Sequence, residues 1–402
     1  MRKFIIFMAV FSSLIFTTLS NMFIIPSKDL IYAIYVFIIS ISAVTLVTID
    51  YLKRNKINLR DIWILGVPVL MILLILISIN KYQLNDKTFN MVIQFISLCI
   101  PSYLGGFYIK KFNKQNSFYD MTFALNIMVT IILFYSYLKT PLDNKGYFYN
   151  FGESSHLFIG YTAGVFLIFN IISLLNKKNR RQKNKSIILT LKFFLILLQF
   201  WLIVGSGSRG ALFAVIGTLS VYIFLNKDIK KKQIFIFIII IFCTFLIGIN
   251  IDESFRNGFE NFTKILLTEN EFIDLSASRN GRDVQYTLAL ELFKGAPIFG
   301  KGVLGYSSIT NLAYPHNLVL ELLSNYGLLF TLASIIVILI SLRNNIRIES
   351  YSLPHVFIVF MFIFNIIAMQ LSYSILTNSY FWFGLAYCLT QSSNYKSSKE
   401  GL

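Results

Sequence analysis

"YPHNLVLELLSNYGLLF", residues 314–330, reads as the mouth of a membrane helix. Leu318, Val319, Leu320, Leu322, Leu323, Leu328, Leu329 and Phe330 suit a hydrocarbon environment. Yet Pro315, His316 and Asn317 precede the helix, and Glu321 sits one turn inside it. An ionisable residue at or within a span marks a functional position by default. Pro315 fits the approach to a helix, and Asn317 suits its cap. Glu321 follows His316 by five residues, which turns it about 140° away on an ideal helix. The two side chains do not share a face, so Glu321 is expected to orient a neighbouring helix or loop.

The rest of the chain repeats the apolar theme. Of its 402 residues, 56% are hydrophobic and 14% charged, against about 25% charged in an average soluble domain. Runs long enough to cross a bilayer, roughly 17–25 residues, occur at 4–25, 30–50, 62–79, 89–109, 119–138, 156–175, 187–205, 209–226, 232–251, 317–341, 355–371 and 375–391. The expected fold is all-α and polytopic, with about twelve transmembrane helices. Residues 1–251 hold the first nine. Residues 252–315 form a long extracytoplasmic loop between the ninth and tenth, and 316–402 hold the last three and a cytoplasmic tail. The opening "MRKFIIFMAVFSSLIF" has a signal-like pattern without a clear cleavage site, and reads as the first span.

The net charge of +17 is not a nucleic-acid signal. It collects in short connections: "YLKRNKINLR", "IKKFNK", "NKKNRRQKNK" and "NKDIKKK". With twelve spans these all fall on the side of the N-terminus. The positive-inside rule makes that side cytoplasmic, with both termini inside. Cys99, Cys243 and Cys388 all fall in spans and read as buried thiols, not as a disulfide framework. Lys192 lies in the cytoplasmic third of its span, where its ammonium can snorkel to the interface.

The long loop is not low in complexity. "GRDVQYTLALELFKG" places Val284, Leu288 and Leu292 on one face of a helix, with Ser278 or Asn280 to cap it and Gly295 to end it. "GAPIFGKGVLGY" follows as a turn region. A smaller outer loop covers 139–155.

Three outer-face stretches carry unusual chemistry. In "GSGSRGALFA", 205–214, Arg209 follows Ser208 in a glycine- and serine-rich turn at a helix start. Backbone N–H groups and a guanidinium there make a phosphate site; an interfacial or capping arginine is the alternative. In "SRNGRD", 278–283, Arg279 and Arg282 offer bidentate forks to phosphate oxygens, though Arg282 with Asp283 reads equally as a surface ion pair. His316 titrates near ambient pH and is the third. Glu153, His156, Ser208, Tyr314, Asn317, Glu321 and Lys301 are candidate supporting residues; His355 lies on the opposite side and reads as structural. The sequence has no HExxH, paired Cys/His spacing, P-loop or dinucleotide fingerprint, so neither a metal nor another cofactor is expected.

Taken in order, "GSGSRGALFA", "GRDVQYTLALELFKGAPIFGKGVLGY" and "PHNLVLELLSNYGLLF" resemble the O-antigen polymerase and ligase superfamily. The resemblance covers about residues 200–335. It implies a GT-C-like membrane glycosyltransferase that takes an undecaprenyl-pyrophosphate-linked oligosaccharide, at the outer face of a bacterial cytoplasmic membrane. By that resemblance Arg209 and Arg282, with Arg279 as the alternative, hold the donor pyrophosphate, and His316 serves the acceptor as catalytic base. The residues after "GRD" lack a tryptophan common in the family; Tyr286 is nearby instead.

Three functions compete. The favoured one is a polymerase of repeat units for capsule, exopolysaccharide or O-antigen. Its partners would be the lipid-linked donor and acceptor, the bilayer, a chain-length regulator and a flippase. The second is a ligase passing glycan to a final acceptor. The third is a lipid-linked oligosaccharide flippase or other transporter. Transporters place ligand groups near the bilayer midplane on interrupted helices, whereas these spans read as mostly continuous.

Overall fold

The computed structural model describes residues 2–22, 28–53, 58–139, 155–176, 185–226, 282–346 and 352–390, with a few positions between 229 and 259. Every regular element among them is a helix. In chain order these are α1 (Arg2–Met22), α2 (Lys28–Leu52), α3 (Leu59–Lys81), α4 (Asp86–Lys111), α5 (Gln115–Lys139), α6 (His156–Leu175), α7 (Lys185–Gly205), α8 (Arg209–Leu225), α9 (Arg282–Lys294), α10 (Gly305–Thr310), α11 (Leu318–Arg343), α12 (Leu353–Ala368) and α13 (Ser379–Leu389). Eight of them, α1–α7 and α11, are long and apolar enough to cross a membrane, and α8 and α12 are shorter apolar helices. The chain is an all-α, multi-pass membrane protein. The expected span at 232–251, with Cys243, falls largely outside the described residues, as does most of the 139–155 loop.

The bundle has an inside and a lipid-facing outside. α2, α3 and α11 turn Phe37, Trp63, Leu73, Ile77, Leu329 and Leu339 outward, each more than half exposed. Such faces are stable only against hydrocarbon. The interior holds α4, α6, α12 and α13. α13 packs along α4 because Gly106 has no side chain; a Cβ there would run into the backbone of Phe383. α4 itself is deformed by a π-turn at Phe95–Cys99, followed by Pro101. α6 packs against α7, α8 and α12.

Polar groups inside the bundle are paired. Asn126, Asn170 and Gln199, from α5, α6 and α7, close a ring. Asn126 donates to Asn170 (3.0 Å), Asn170 to Gln199 (3.0 Å) and Gln199 back to Asn126 (2.6 Å). Lys192 lies on the same helix as Gln199. It does not snorkel: it is buried, donates to the Ser173 hydroxyl and sits over the Phe123 ring at 5.2 Å. The neighbouring helices offered a polar partner nearer than the interface. At the end of the bundle where α4 stops, His355 meets the Tyr387 hydroxyl (2.9 Å), the Asn345 carbonyl (3.2 Å) and the Lys110 ammonium (3.1 Å), a structural tie.

Two expected spans prove interrupted. The stretch at 375–391 yields only α13, whose 11 residues reach about 16 Å, half a hydrocarbon core. Residues 369–378 before it form a buried hairpin. Irregular backbone at such depth survives where protein satisfies its polar groups. Here the Glu321 carboxylate accepts from the Ser374 hydroxyl and from the Ile375 amide (3.2 Å). Trp382 donates to the Ile375 carbonyl (2.6 Å).

α11, expected as one continuous helix, is broken at Gly327, with φ 70° and ψ −178°. That conformation is essentially open to glycine alone. The break frees backbone groups, and residues 297–302 fill them. Leu328 N–H donates to Pro297 (2.8 Å), Lys301 N–H to Ser324 (3.0 Å) and Gly302 N–H to Asn325 (2.8 Å). On its other side this segment is held at the end of α3, where Lys81 (3.4 Å) and Tyr82 (2.7 Å) both donate to the Lys301 carbonyl.

α9 forms where the loop reading expected a helix, with Gly295 after its end; Ser278 and Asn280 lie outside the described residues. Its packed face differs. Val284 is 61% exposed and Ala289 1%, so the face against α11 centres on Ala289. Val284 points about 100° away from Gln285.

Candidate functional site

Arg209 is the first residue of α8. The turn before it is tight: Gly207 takes φ 62°, and its N–H donates to Val204 (2.8 Å). Ser206 N–H donates to Leu202 (3.0 Å), and Arg209 N–H to Gly207 (3.0 Å). The turn therefore spends these N–H groups on itself, a correction to the expectation that they face a ligand. What it presents is the Arg209 side chain. Ser208 is buried, its hydroxyl unpartnered among the described residues, and packs against Gly160 of α6.

Gly210 makes room for another group. A Cβ there would collide with the Tyr161 hydroxyl, which thus lies over the first turn of α8, next to Arg209. The Tyr161 ring is edge-on to Tyr373, with centroids 4.9 Å apart. Ser372 lies near both the Tyr161 and the Tyr314 hydroxyls.

Arg282 opens α9, half-buried, and joins this group. Its charge acts on Arg209, Tyr161, Tyr314 and His316 together. Two guanidiniums of like sign held in one neighbourhood repel unless an anion lies between them.

His316 sits between α10 and α11 with φ 54°, a left-handed backbone that a residue with a side chain adopts at a cost of about 1–3 kcal/mol. The next residues fix it there. Leu318 N–H donates to the Met369 carbonyl (2.9 Å), and Asn317 caps α11 by accepting from Leu320 N–H (3.0 Å). The imidazole lies 4.4 Å from the Tyr314 ring, centroid to centroid. Its Nδ1 is buried without a hydrogen-bond partner among the described residues. Burial, and then the Arg282 charge, push its pKa down to about 4. The ring is neutral at physiological pH and free to take a proton. Burial raises the Tyr314 phenol above its ordinary value, so it remains a hydrogen-bond donor there.

Arg209, Arg282, Tyr314 and His316, three of them read as site residues and one as supporting, thus share one end of the bundle. Others do not join them. Glu321 is fully buried and holds the 369–378 hairpin, the orienting role expected of it. Lys301 donates to the Gly295 carbonyl (3.2 Å), at the far end of α9 from Arg282. Asn317 is a cap. His156 begins α6, one turn before Gly160. Arg279 and Glu153 lie outside the described residues.

Residues 193–333 match the O-antigen ligase family model. The matched segment runs from within α7 into α11 and contains Arg209, Arg282 and His316. The match supports the likeness to the O-antigen polymerase and ligase superfamily and points to membrane glycosyl transfer of that type. No curated protein matches the chain. Tyr161 and Tyr373 escaped the sequence reading, since both lie outside the matched segment. The one signal near them is the small-residue pair Gly160 and Gly164, which lets helices approach closely.

Under Tyr314 a cavity of about 480 Å³ opens into the bundle between α1, α4, α6, α12 and the 373–380 stretch. Tyr161 and Tyr314 form part of its wall.

Proposed function

We propose that the chain joins undecaprenyl-pyrophosphate-linked oligosaccharide units into a surface polysaccharide at the outer face of a bacterial cytoplasmic membrane. One observation carries this reading: Arg282 is gathered with Arg209 and with a half-buried His316 whose Nδ1 has no partner among the described residues. Paired guanidiniums suit a pyrophosphate, and an unpartnered imidazole nitrogen suits a hydroxyl proton.

In the proposed step a sugar hydroxyl of the acceptor attacks the anomeric carbon of the donor. The new C–O bond forms as the bond to the pyrophosphate oxygen breaks, with inversion. The pyrophosphate leaves on its lipid with both electrons, and Arg209 and Arg282 stabilise the charge it gains. His316 takes the hydroxyl proton. A pyrophosphate beside Arg282 offsets the positive charge that weakens His316 as a base, so donor binding readies the base.

The test is the glycan profile of cells carrying His316→Ala at matched protein level. Lipid-linked single units without a polymer ladder support the proposal. An unchanged surface polymer overturns it. The name of the matched family favours a second reading, a ligase; a full ladder that stays on its lipid carrier would mark that one.

A further inference from the structure

Resting on that reading, we infer that the cavity under Tyr314 is a subsite for sugar units of the glycan.

Its volume of about 480 Å³ falls within the range of small-ligand sites. Much of its wall is apolar, with Phe11, Leu14, Met91, Phe158 and Phe166, and the polar groups set into that wall select the ligand. Asn90 and Gln94 of α4, Asn365 of α12 and Asn378 before α13 all reach it, and Tyr373 and Tyr380 add ring faces with hydroxyl tips. A prenyl chain there would offer no hydrogen bond to the Asn90 and Gln94 amides or to Asn378 Nδ2, at about 1–3 kcal/mol for each group left unmade, whereas Asn365 already donates to the Met361 carbonyl (2.8 Å). A sugar ring offers hydroxyls to the amides and C–H faces to the rings. One such amide already lacks a partner: Asn378 spends its oxygen capping Phe381 N–H (3.0 Å), while its buried Nδ2 has no partner among the described residues.

Backbone strain points the same way. Tyr373 has φ 66° and His316 φ 54°. Tyr373 lines the cavity, and the His316 ring lies 4.4 Å from that of Tyr314, which lines it too. Left-handed backbone at residues with side chains collects where a ligand is gripped. A sugar seated here lies beside the Arg209, Arg282 and His316 cluster through the shared Tyr161 and Tyr314 wall.

The test uses the full chain in lipid nanodiscs and ligand-observed NMR, with three separate probes: methyl glycosides of common hexoses and N-acetylhexosamines, inorganic pyrophosphate, and farnesyl phosphate. Wild type is expected to bind glycosides. Gln94→Trp, which fills the cavity, is expected to weaken them by about tenfold or more while pyrophosphate affinity stays unchanged. Gln94→Met, which removes the amide and keeps the volume, is expected to fall between. Adding a glycosyl diphosphate separates the sources: displacement of the glycoside marks the donor's sugar, and joint binding marks an acceptor unit. The inference is overturned if glycosides do not bind, if they bind Gln94→Trp as well as wild type, or if farnesyl phosphate is the probe that Gln94→Trp excludes. Failure of pyrophosphate to bind would overturn the donor-site reading instead.

Discussion

Tyr314 and His316, two residues apart, lay their rings 4.4 Å from one another at a tilt of 52°. The left-handed backbone at His316 makes this possible. It folds the imidazole back onto the phenol and away from the helix that follows. Tyr314 lines the cavity, and both rings feel the charge of Arg282.

His316 should therefore report its surroundings through pH. Its folded pKa of about 4 lies below the ordinary value of about 6.5. The base form persists as pH falls through 6.5 and is lost only near 4. At donor concentrations well below saturation, where the rate reports the free enzyme, transfer in reconstituted vesicles is expected to be flat from about pH 5.5 to 7.5 and to drop near 4. Arg282→Gln should move that limb upward only part of the way, because burial is the larger cause. A wild-type limb centred at 6.5 would sink this account. Stability follows the same window: the unfolded chain takes up a proton that the folded chain refuses, so stability declines as pH falls from about 6.5 to 4.

The arginines should separate by geometry as well as charge. Arg209→Lys and Arg282→Lys keep the charge and lose the fork. Each is expected to weaken pyrophosphate binding by about 10-fold, and each Ala variant by about 10–100-fold. Titration of purified protein with pyrophosphate measures both. Equal affinity in the Lys variants would mean that charge alone holds the anion.

Glu321 is a positioning residue for the hairpin. Glu321→Ala strands the Ser374 hydroxyl and the Ile375 amide, at a cost of about 2–4 kcal/mol. Glu321→Gln retains one acceptor oxygen and should recover part of it. Thermal unfolding in detergent reads the order wild type, Gln, Ala. Activity lost in Glu321→Gln at unchanged stability would contradict a purely positioning role.

Gly327→Ala tests the broken helix. The new side chain would face the Ile298 carbonyl in a conformation closed to it. The 297–302 segment is expected to detach, opening to limited proteolysis between α9 and α10. A protection pattern identical to wild type would show that the break tolerates a side chain.

These tests also mark where sequence reading stopped. Hydropathy located α1–α7 and α11 because lipid imposes length and apolarity on each helix separately. Glu321 does orient a neighbouring segment as expected, but not through the 140° offset, because His316 stands before the helix on left-handed backbone. The left-handed His316, the Gly327 break and the 369–378 hairpin escaped, because each depends on a partner far along the chain: Met369 for Leu318, Pro297 for Leu328, Glu321 for Ser374. Lys192 was misjudged for the same reason, since its partner Ser173 belongs to another helix. The arginines and His316 were legible as residue types suited to an anion and a proton. Tyr161 was not, because a tyrosine in an apolar span looks like any other core ring.

The ring of Asn126, Asn170 and Gln199 bears on how the molecule is built. Membrane helices are laid into the bilayer before they dock. Each of these amides crosses alone, carrying a debt that lipid has no means to settle. Because each gives to the next and takes from the last, only one rotation and one depth of α5, α6 and α7 closes the circle. The trio is thus expected to act as a keyed seed during biogenesis, setting the angular address from which α8 carries Arg209 to its place.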